Sequence, residues 1–473
     1  MRKETVMKRC ITVLLAVMML LSVFFIVPSY AATQLPAIEG EAFLVMDMTT
    51  GKILTSQNAD EKMYPASTTK MITAILALEN LDMNHVITVS SNAADTKGTI
   101  LGLKTGEQLT VKNILYAMMV KSANDCAVAL AEEMAGNIES FAVMMNQKAA
   151  EIGCTSTNFV TPNGLHDENH YSTASDLAKI ALYCMQNETF RDIVQTIEYS
   201  VPATNVSPEI RTVKNTNLLL YDEDDANRIY VNNELRYCKY DGCIGIKTGQ
   251  TPEAQGCLVA AAEKHGTKIL TVVLKSSTYG RFADSIKLLD WGFTNYRTLT
   301  VMTAGKDMGE IKVKKGEFNK VGTELSETLI FTIPSEASDA IITPEIQLEE
   351  ELIAPVSKGA VVGHVVISEG GKKLGTYDIV ASEDIKEGGV LSNFYIEDAT
   401  AKKILISIIG VFVFLILLLV IYVLLKRREI RIKKERRAAK LKAKLEEEQR
   451  RKALWERQYD DKYRQHYHDD IDY

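Results

Sequence analysis

Two long, charge-free apolar runs bracket a long stretch in which apolar and polar residues recur with helical or strand periods. The first run, Ile11 to Val27, follows Arg2, Lys3, Lys8 and Arg9 and precedes Ser29-Tyr30-Ala31, which is small at the −3 and −1 positions. This three-part plan predicts a secretory signal peptide over residues 1–31, with a retained N-terminal anchor as the alternative because the run is long for a signal. Cys10 lies ahead of the run and cannot serve as a lipoprotein cysteine. The second run, Ile404 to Leu425, is 22 residues without a charge. At 1.5 Å per residue such a helix reaches about 33 Å, enough to cross a hydrocarbon core of about 30 Å. Lys402 and Lys403 precede it, but Lys426, Arg427, Arg428, Arg431, Lys433, Lys434, Arg436 and Arg437 crowd behind it. The positive-inside rule then puts the C-terminus in the cytoplasm and the body outside.

Between the runs, periodicity separates two regions. From Glu41 to about Thr294, strands mix with patterned helices. Ala42–Asp47 and Lys52–Ser56 flank Thr49-Thr50-Gly51 as a hairpin, and Cys243–Lys247, Cys257–Glu263 and Lys268–Lys275 are further strands. Helices are predicted over Ser67–Leu81, Val111–Met119, Asn124–Met134, Ile138–Ile152, Ala174–Met185 with Ser172 as its cap, and Phe282–Phe293. The pattern is that of an α+β domain, a helical region beside an antiparallel sheet, over 32–296. Over 297–387 short alternating runs such as Glu310–Val313, Thr328–Phe331 and Val361–Ile367 predict a small all-β domain. Residues 388–403 form a polar linker, 404–425 the transmembrane helix, and 426–473 a charged tail. That tail has no apolar face and reads as a solvated helix near anionic lipid.

The formal charge of −7 conceals a split: the tail after Leu425 and the first ten residues are basic, so the body between them is acidic. An acidic body argues against nucleic acid as a partner. Six cysteines follow the signal: Cys126, Cys154, Cys184, Cys238, Cys243 and Cys257. A body this large can build a core without bridges, so they are read as mostly buried and unpaired. No C-x-x-C pair occurs.

The sharpest local chemistry is Pro65-Ala66-Ser67-Thr68-Thr69-Lys70. Ser67 and Lys70, three apart at a helix start, share one face. A serine hydroxyl becomes a useful nucleophile only when a base takes its proton, and a lysine can be that base only if burial or a neighbouring cation lowers its pKa. Alone, S-x-x-K is weak. Its company is not: Ser122-Ala123-Asn124 opens a later helix, and Lys247-Thr248-Gly249 ends a strand. A second triplet, Lys104-Thr105-Gly106, precedes Ser122 and leads toward a helix, which makes it a decoy. His166-Asp167-Glu168-Asn169-His170 could suggest zinc, but Pro162-Asn163-Gly164 marks a loop and H-E-x-x-H is absent, so a hydrated loop is the reading. No metal or other cofactor is expected.

In the order S-x-x-K, S-x-N, K-T-G the chain resembles the penicillin-binding proteins and serine β-lactamases, and among them the low-molecular-weight D-alanyl-D-alanine carboxypeptidases. Lys121–Asp125, Asn163-Gly164-Leu165 through His170-Tyr171-Ser172, and Tyr279-Gly280-Arg281 before Leu288–Phe293 look like that subgroup too. The resemblance implies a β-lactamase/transpeptidase-like fold in a bacterial cell membrane, and removal of the terminal D-alanine from peptidoglycan stem pentapeptides. β-Lactam antibiotics are the covalent inhibitors it implies. It assigns Ser67, Lys70 and Ser122 to catalysis, and Asn124, Lys247, Thr248, Gly249, Gln250 and Arg281 to substrate binding. Two alternatives stay open. A class A β-lactamase needs a deacylating E-x-x-L-N, for which Glu133–Asn137 is an imperfect stand-in. A non-catalytic penicillin sensor needs a folded cytoplasmic effector, for which the tail is too short and too charged.

Overall fold

The computed structural model describes Thr33–His466. The signal peptide expected over residues 1–31 lies outside the described residues. The chain divides into two compact units: residues up to Lys306 with Leu325–Ile346 and Val365–Tyr377, and Asp307–Glu324 with Gln347–His364 and the residues from Asp378 onward.

The first unit is built on a five-stranded sheet. Strands β1 (Ala42–Asp47), β2 (Ile53–Gln57), β3 (Cys243–Thr251), β4 (Gln255–Lys264) and β5 (Thr267–Ser276) run in the order β2-β1-β5-β4-β3. Neighbouring strands are antiparallel, with Leu44 opposite Val272, Val259 opposite Val272 and Thr248 opposite Leu258. Every residue of β1 is buried because helices cover both faces. Leu44 and Met46 point into a core shared with α1 (Lys70–Asn80), α2 (Val111–Val120), α3 (Asn124–Ala135), α4 (Ile138–Ile152), α5 (Ala174–Cys184) and α6 (Glu188–Gln195). Phe43 and Val45 point the other way, onto Phe282, Ile286 and Leu289 of α7 (Gly280–Asn295). This is the period of two in a strand meeting the period of 3.6 in a helix. Burying each of these α7 side chains contributes roughly 1.5–3 kcal/mol. β3, at the sheet's edge, carries Lys247-Thr248-Gly249.

Helix starts follow the capping chemistry of short polar side chains. Thr110, Asn137 and Asn187 cap α2, α4 and α6 by accepting from a backbone N–H three residues on. For α5 the cap is Thr173, which accepts from Asp176 N, and not Ser172 as expected. Ser172 Oγ pairs instead with Thr157 Oγ1 at 2.8 Å. The described cysteines are all free thiols; Cys126, Cys184, Cys238 and Cys257 are buried and Cys154 and Cys243 are half-buried.

Beyond α7 the first unit continues with Tyr296–Met302 paired antiparallel to Leu329–Pro334. Asp47 ties this pair to β1, its Oδ2 accepting from Thr332 Oγ1 at 2.7 Å and Thr298 Oγ1 at 2.9 Å. In the second unit, Asp307–Lys314 pairs antiparallel with Lys320–Leu325, Ile311 opposite Val321, and parallel with Glu351–Ile353. The stretch expected to be a linker is partly ordered: Val390–Phe394 is a 3-10 turn and α8 (Asp398–His466) begins before the apolar run. α8 continues unbroken into the charged tail and contains the one described helix long and apolar enough to cross a membrane.

Candidate active site

Ser67 lies in a 3-10 turn, Ala66–Thr69, that runs directly into α1. The expected single helix from Ser67 is therefore tighter at its start. Ala66 is held at φ 46° and Ser122 at φ 66°, a left-handed region that non-glycine residues seldom occupy and that costs roughly 1–3 kcal/mol. Both positions adjoin the reacting groups, so the surrounding packing holds them there.

Lys70 is fully buried, and its Nζ lies 2.8 Å from Ser67 Oγ, 2.7 Å from Asn124 Oδ1 and 2.7 Å from the Asn163 carbonyl oxygen. Burial first, and then the positive charge of Lys247, push its pKa well below that of an ordinary lysine; Cys126 and Asp125 oppose this weakly. The neutral amine that a base requires is thus favoured by the site. Lys247 is also buried, and burial followed by the Arg281 charge pushes it down to about 7. The cation that lowers Lys70 is therefore itself only marginally held.

The three expected motifs meet here. Asn124 contacts Lys70 directly, and Ser122, 7% exposed, stands at the turn just ahead of α3. Gly249 brings β3 against the serine turn: a Cβ there would lie 2.9 Å from the Pro65 carbonyl oxygen and 3.1 Å from Ser67 N. Thr248 Oγ1 is 2.6 Å from Thr216 Oγ1, a partner with no sequence signal. The Gln250 side chain turns to Thr278 Oγ1 at 2.7 Å, which leaves only its backbone for the site. Arg281 is buried, donating from Nη1 to the Gly249 carbonyl at 2.7 Å while its Nε has no hydrogen-bond partner among the described residues.

The reading of 166–170 as a hydrated loop is corrected at His170, which is 2% exposed. Its Nδ1 accepts from Val160 N at 3.0 Å and Thr161 N at 3.2 Å. The proton must then sit on Nε2, 2.8 Å from Thr69 Oγ1 in the serine turn. Burial pushes His170 down to about 4, so it stays neutral and acts as a strut under the turn. Among the described residues no group of three metal-ligating side chains gathers. Glu133 pairs with His85 at 2.7 Å, nine residues and about 14 Å along α3 from Asn124. The decoy lysine, Lys104, is exposed, and the strand that follows it, Gln108–Thr110, pairs among the described residues only with Val86–Thr88.

Residues 29–278 match the D-alanyl-D-alanine carboxypeptidase family, and residues 296–387 match the C-terminal domain of penicillin-binding protein 5. The chain is 31% identical over 398 residues to D-alanyl-D-alanine carboxypeptidase DacF of Bacillus subtilis, covering 82% of this chain and 97% of that protein. It is 32% identical to DacA of Haemophilus influenzae over 76% of this chain and 88% of that one. Penicillin binding protein 5 from Haemophilus influenzae superposes with a TM-score of 0.62 at 31% identity, covering 75% of this chain and 100% of the other. With the family match extending over the serine, lysine and asparagine gathered around Ser67, the chain belongs to the D-alanyl-D-alanine carboxypeptidases, serine peptidases among the low-molecular-weight penicillin-binding proteins.

Proposed function

We propose that this carboxypeptidase removes the terminal D-alanine of peptidoglycan stem peptides through an acyl-enzyme on Ser67. The observation that carries this reading is the 2.8 Å contact between Ser67 Oγ and a buried Lys70 whose surroundings favour the neutral amine. Lys70 takes the hydroxyl proton as Ser67 Oγ attacks the penultimate D-alanine carbonyl carbon. Backbone N–H groups of Ser67 and Gln250 receive the oxyanion. As the tetrahedral intermediate collapses, the C–N bond breaks and Ser122 passes a proton to the departing amine. Water then attacks the ester and frees Ser67. Asn124 orients the peptide amide. Lys247 and Thr248 take the terminal carboxylate, with Arg281 adding positive potential from behind Gly249. A β-lactam enters the same steps and stops at the acyl-enzyme.

Ser67→Ala protein is expected to lose both D-alanine release from a diacetyl-Lys-D-Ala-D-Ala peptide and covalent penicillin labelling, while melting like the parent. A labelled Ser67→Ala protein, seen as a mass increment, would remove Ser67 from this role. The β-lactamase alternative is disfavoured by Glu133, which is engaged with His85. The sensor alternative is disfavoured by a tail that, among the described residues, is one helix.

The proposed chain plan is a signal peptide at 1–31, a catalytic domain at 32–296, a β domain at 297–387, a linker at 388–403, a membrane helix at 404–425 and a tail at 426–473. The body lies outside the membrane and the tail in the cytoplasm, a reading supported by the Lys/Arg cluster after Leu425. Protease added to wall-stripped cells should digest the body and spare an epitope placed after Tyr473; loss of that epitope would reverse the orientation.

A further inference from the structure

The contacts of Lys70 pose a question of proton geometry. A neutral amine has two N–H groups and one lone pair. Of its three close neighbours, the Asn163 carbonyl and Asn124 Oδ1 can only accept, whereas the Ser67 hydroxyl can donate. With its two N–H groups on the two carbonyl oxygens, the lone pair faces the Ser67 O–H at 2.8 Å, the shorter of that hydroxyl's two contacts, the other being to the Asn163 carbonyl at 3.3 Å. That outcome depends on which way the Asn124 amide points. If it were flipped, its NH₂ group would face Lys70 and compete for the lone pair.

A loop fixes the amide. Asn124 Nδ2 donates to the Lys97 carbonyl at 2.8 Å, and Asn124 N donates to the Thr99 carbonyl at 2.7 Å. A flip would set Oδ1 against the Lys97 oxygen. Gly98, between these two carbonyls, is at φ 91°, and a Cβ on it would come within 2.7 Å of Asn124 Nδ2. The same loop is held by the next residue of α3. The fully buried Asp125 carboxylate accepts from Leu101 N and Cys126 N through Oδ1, at 3.0 and 2.9 Å, and from Gly102 N and Leu103 N through Oδ2, at 2.9 and 3.0 Å.

We infer that Asp125 is a positioning residue for acylation: it gathers the backbone of residues 101–103 so that the Lys97 carbonyl locks the Asn124 amide and turns the Lys70 lone pair toward Ser67. This inference rests on the reading of Lys70 as the base. It assigns Asp125 a role opposite to that of its charge. The charged or titratable groups facing Lys70 are Lys247, Cys126 and Asp125, and of these Cys126 and the Asp125 carboxylate both act to keep Lys70 protonated through their charge. A purely electrostatic role therefore makes Asp125→Asn as fast as the parent, or faster below neutral pH.

The test is a double-mutant cycle on the full-length protein in detergent, read as the second-order rate of penicillin acylation across pH. Asp125→Asn is expected to slow acylation about 10- to 100-fold, the range for a misplaced reacting group. In an Asn124→Ala background the same change is expected to cost less than about threefold, because the amide it positions is gone. An unchanged or faster Asp125→Asn rate overturns the inference, and so does an equal loss in both backgrounds. If Asp125→Asn does not melt cooperatively, Gly98→Ala serves instead. It keeps Asp125 but presses on the amide, and is expected to slow the parent about tenfold and the Asn124→Ala protein hardly at all; a parent-like rate overturns the inference. Parent-like acylation by Asn124→Ala alone would instead overturn the reading of the site itself.

Discussion

The same tripeptide occurs twice in this chain, and the two copies have become different objects. Lys247-Thr248-Gly249 lies on edge strand β3, with Lys247 1% and Thr248 5% exposed. Lys104-Thr105-Gly106 lies in a turn, its lysine and threonine exposed, closed by Lys104 N donating to Glu107 Oε2 at 2.9 Å and Gly106 N to the Val89 carbonyl at 2.8 Å. Glu107 is buried and bonded to Arg211, so the turn belongs to the scaffold. A motif is therefore made functional by what its strand is packed against. The comparison breaks most sharply at the lysines. In the proposed mechanism Lys247→Ala removes the cation that takes the substrate carboxylate, and with it part of what lowers the Lys70 pKa. Acylation by penicillin is expected to fall roughly 30- to 1000-fold, about 2–4 kcal/mol of transition-state stabilisation. Lys104→Ala should stay within about twofold. Equal rates for Lys247→Ala and the parent would move the site to the other triplet.

The glycines sharpen the contrast at a smaller scale. A methyl group on Gly249 would meet the Pro65 carbonyl oxygen, Ala66 Cβ and Ser67 N within 3.1 Å. At Gly106 it would meet nothing within 4 Å, although φ there is 78°. Gly249→Ala should therefore displace the serine turn and slow acylation roughly 10- to 100-fold, given that a shift of about 1 Å can cost two orders of magnitude. Gly106→Ala should lower stability by about 1–2 kcal/mol through its left-handed backbone and leave the rate alone. Melting curves and acylation rates of the two variants separate these outcomes; a slow Gly106→Ala with an unimpaired Gly249→Ala would contradict the packing argument.

What could be read in the sequence follows from where each contact's chemistry resides. Ser67, Lys70, Ser122, Asn124 and Lys247 announce themselves because the roles proposed for them fall to side chains in short, ordered motifs. The sheet and most helices were legible because their apolar faces repeat at periods of two and 3.6. The Asn163 carbonyl was not legible as a partner of Lys70, 93 positions away, because any residue has a carbonyl there. Thr216 was missed for a related reason: a lone threonine has no pattern, and only folding brings it to Thr248. The loop signal of Pro162-Asn163-Gly164 points His170 to solvent, yet the chain turns it inward against Phe159 at 5.5 Å between rings. The start of α8 at Asp398 was not legible because hydropathy marks where the apolar residues begin, at Ile404, and is silent on the polar turn before them.

The subtlest separation of the two triplets is in pH. In the proposed mechanism acylation needs Lys70 neutral, so its rate should rise with pH as Lys70 loses its proton. The proposed mechanism also needs Lys247 charged, and burial together with Arg281 pushes Lys247 down to about 7. Above about 7 the free enzyme therefore sheds the charge that attracts the carboxylate, and kcat/KM for the peptide, which reports the free enzyme, should decline by at most tenfold per pH unit. Bound substrate carboxylate favours the charged lysine, so kcat should hold to higher pH than kcat/KM. Lys247→Arg cannot deprotonate in this range. It should lose the alkaline limb of kcat/KM, with a lower plateau because guanidinium geometry differs from that of an ammonium. Lys104→Arg should reproduce the parent profile throughout. An alkaline limb that stays in place in Lys247→Arg would belong to some other group, and the difference between the two lysines would then be one of burial without consequence for charge.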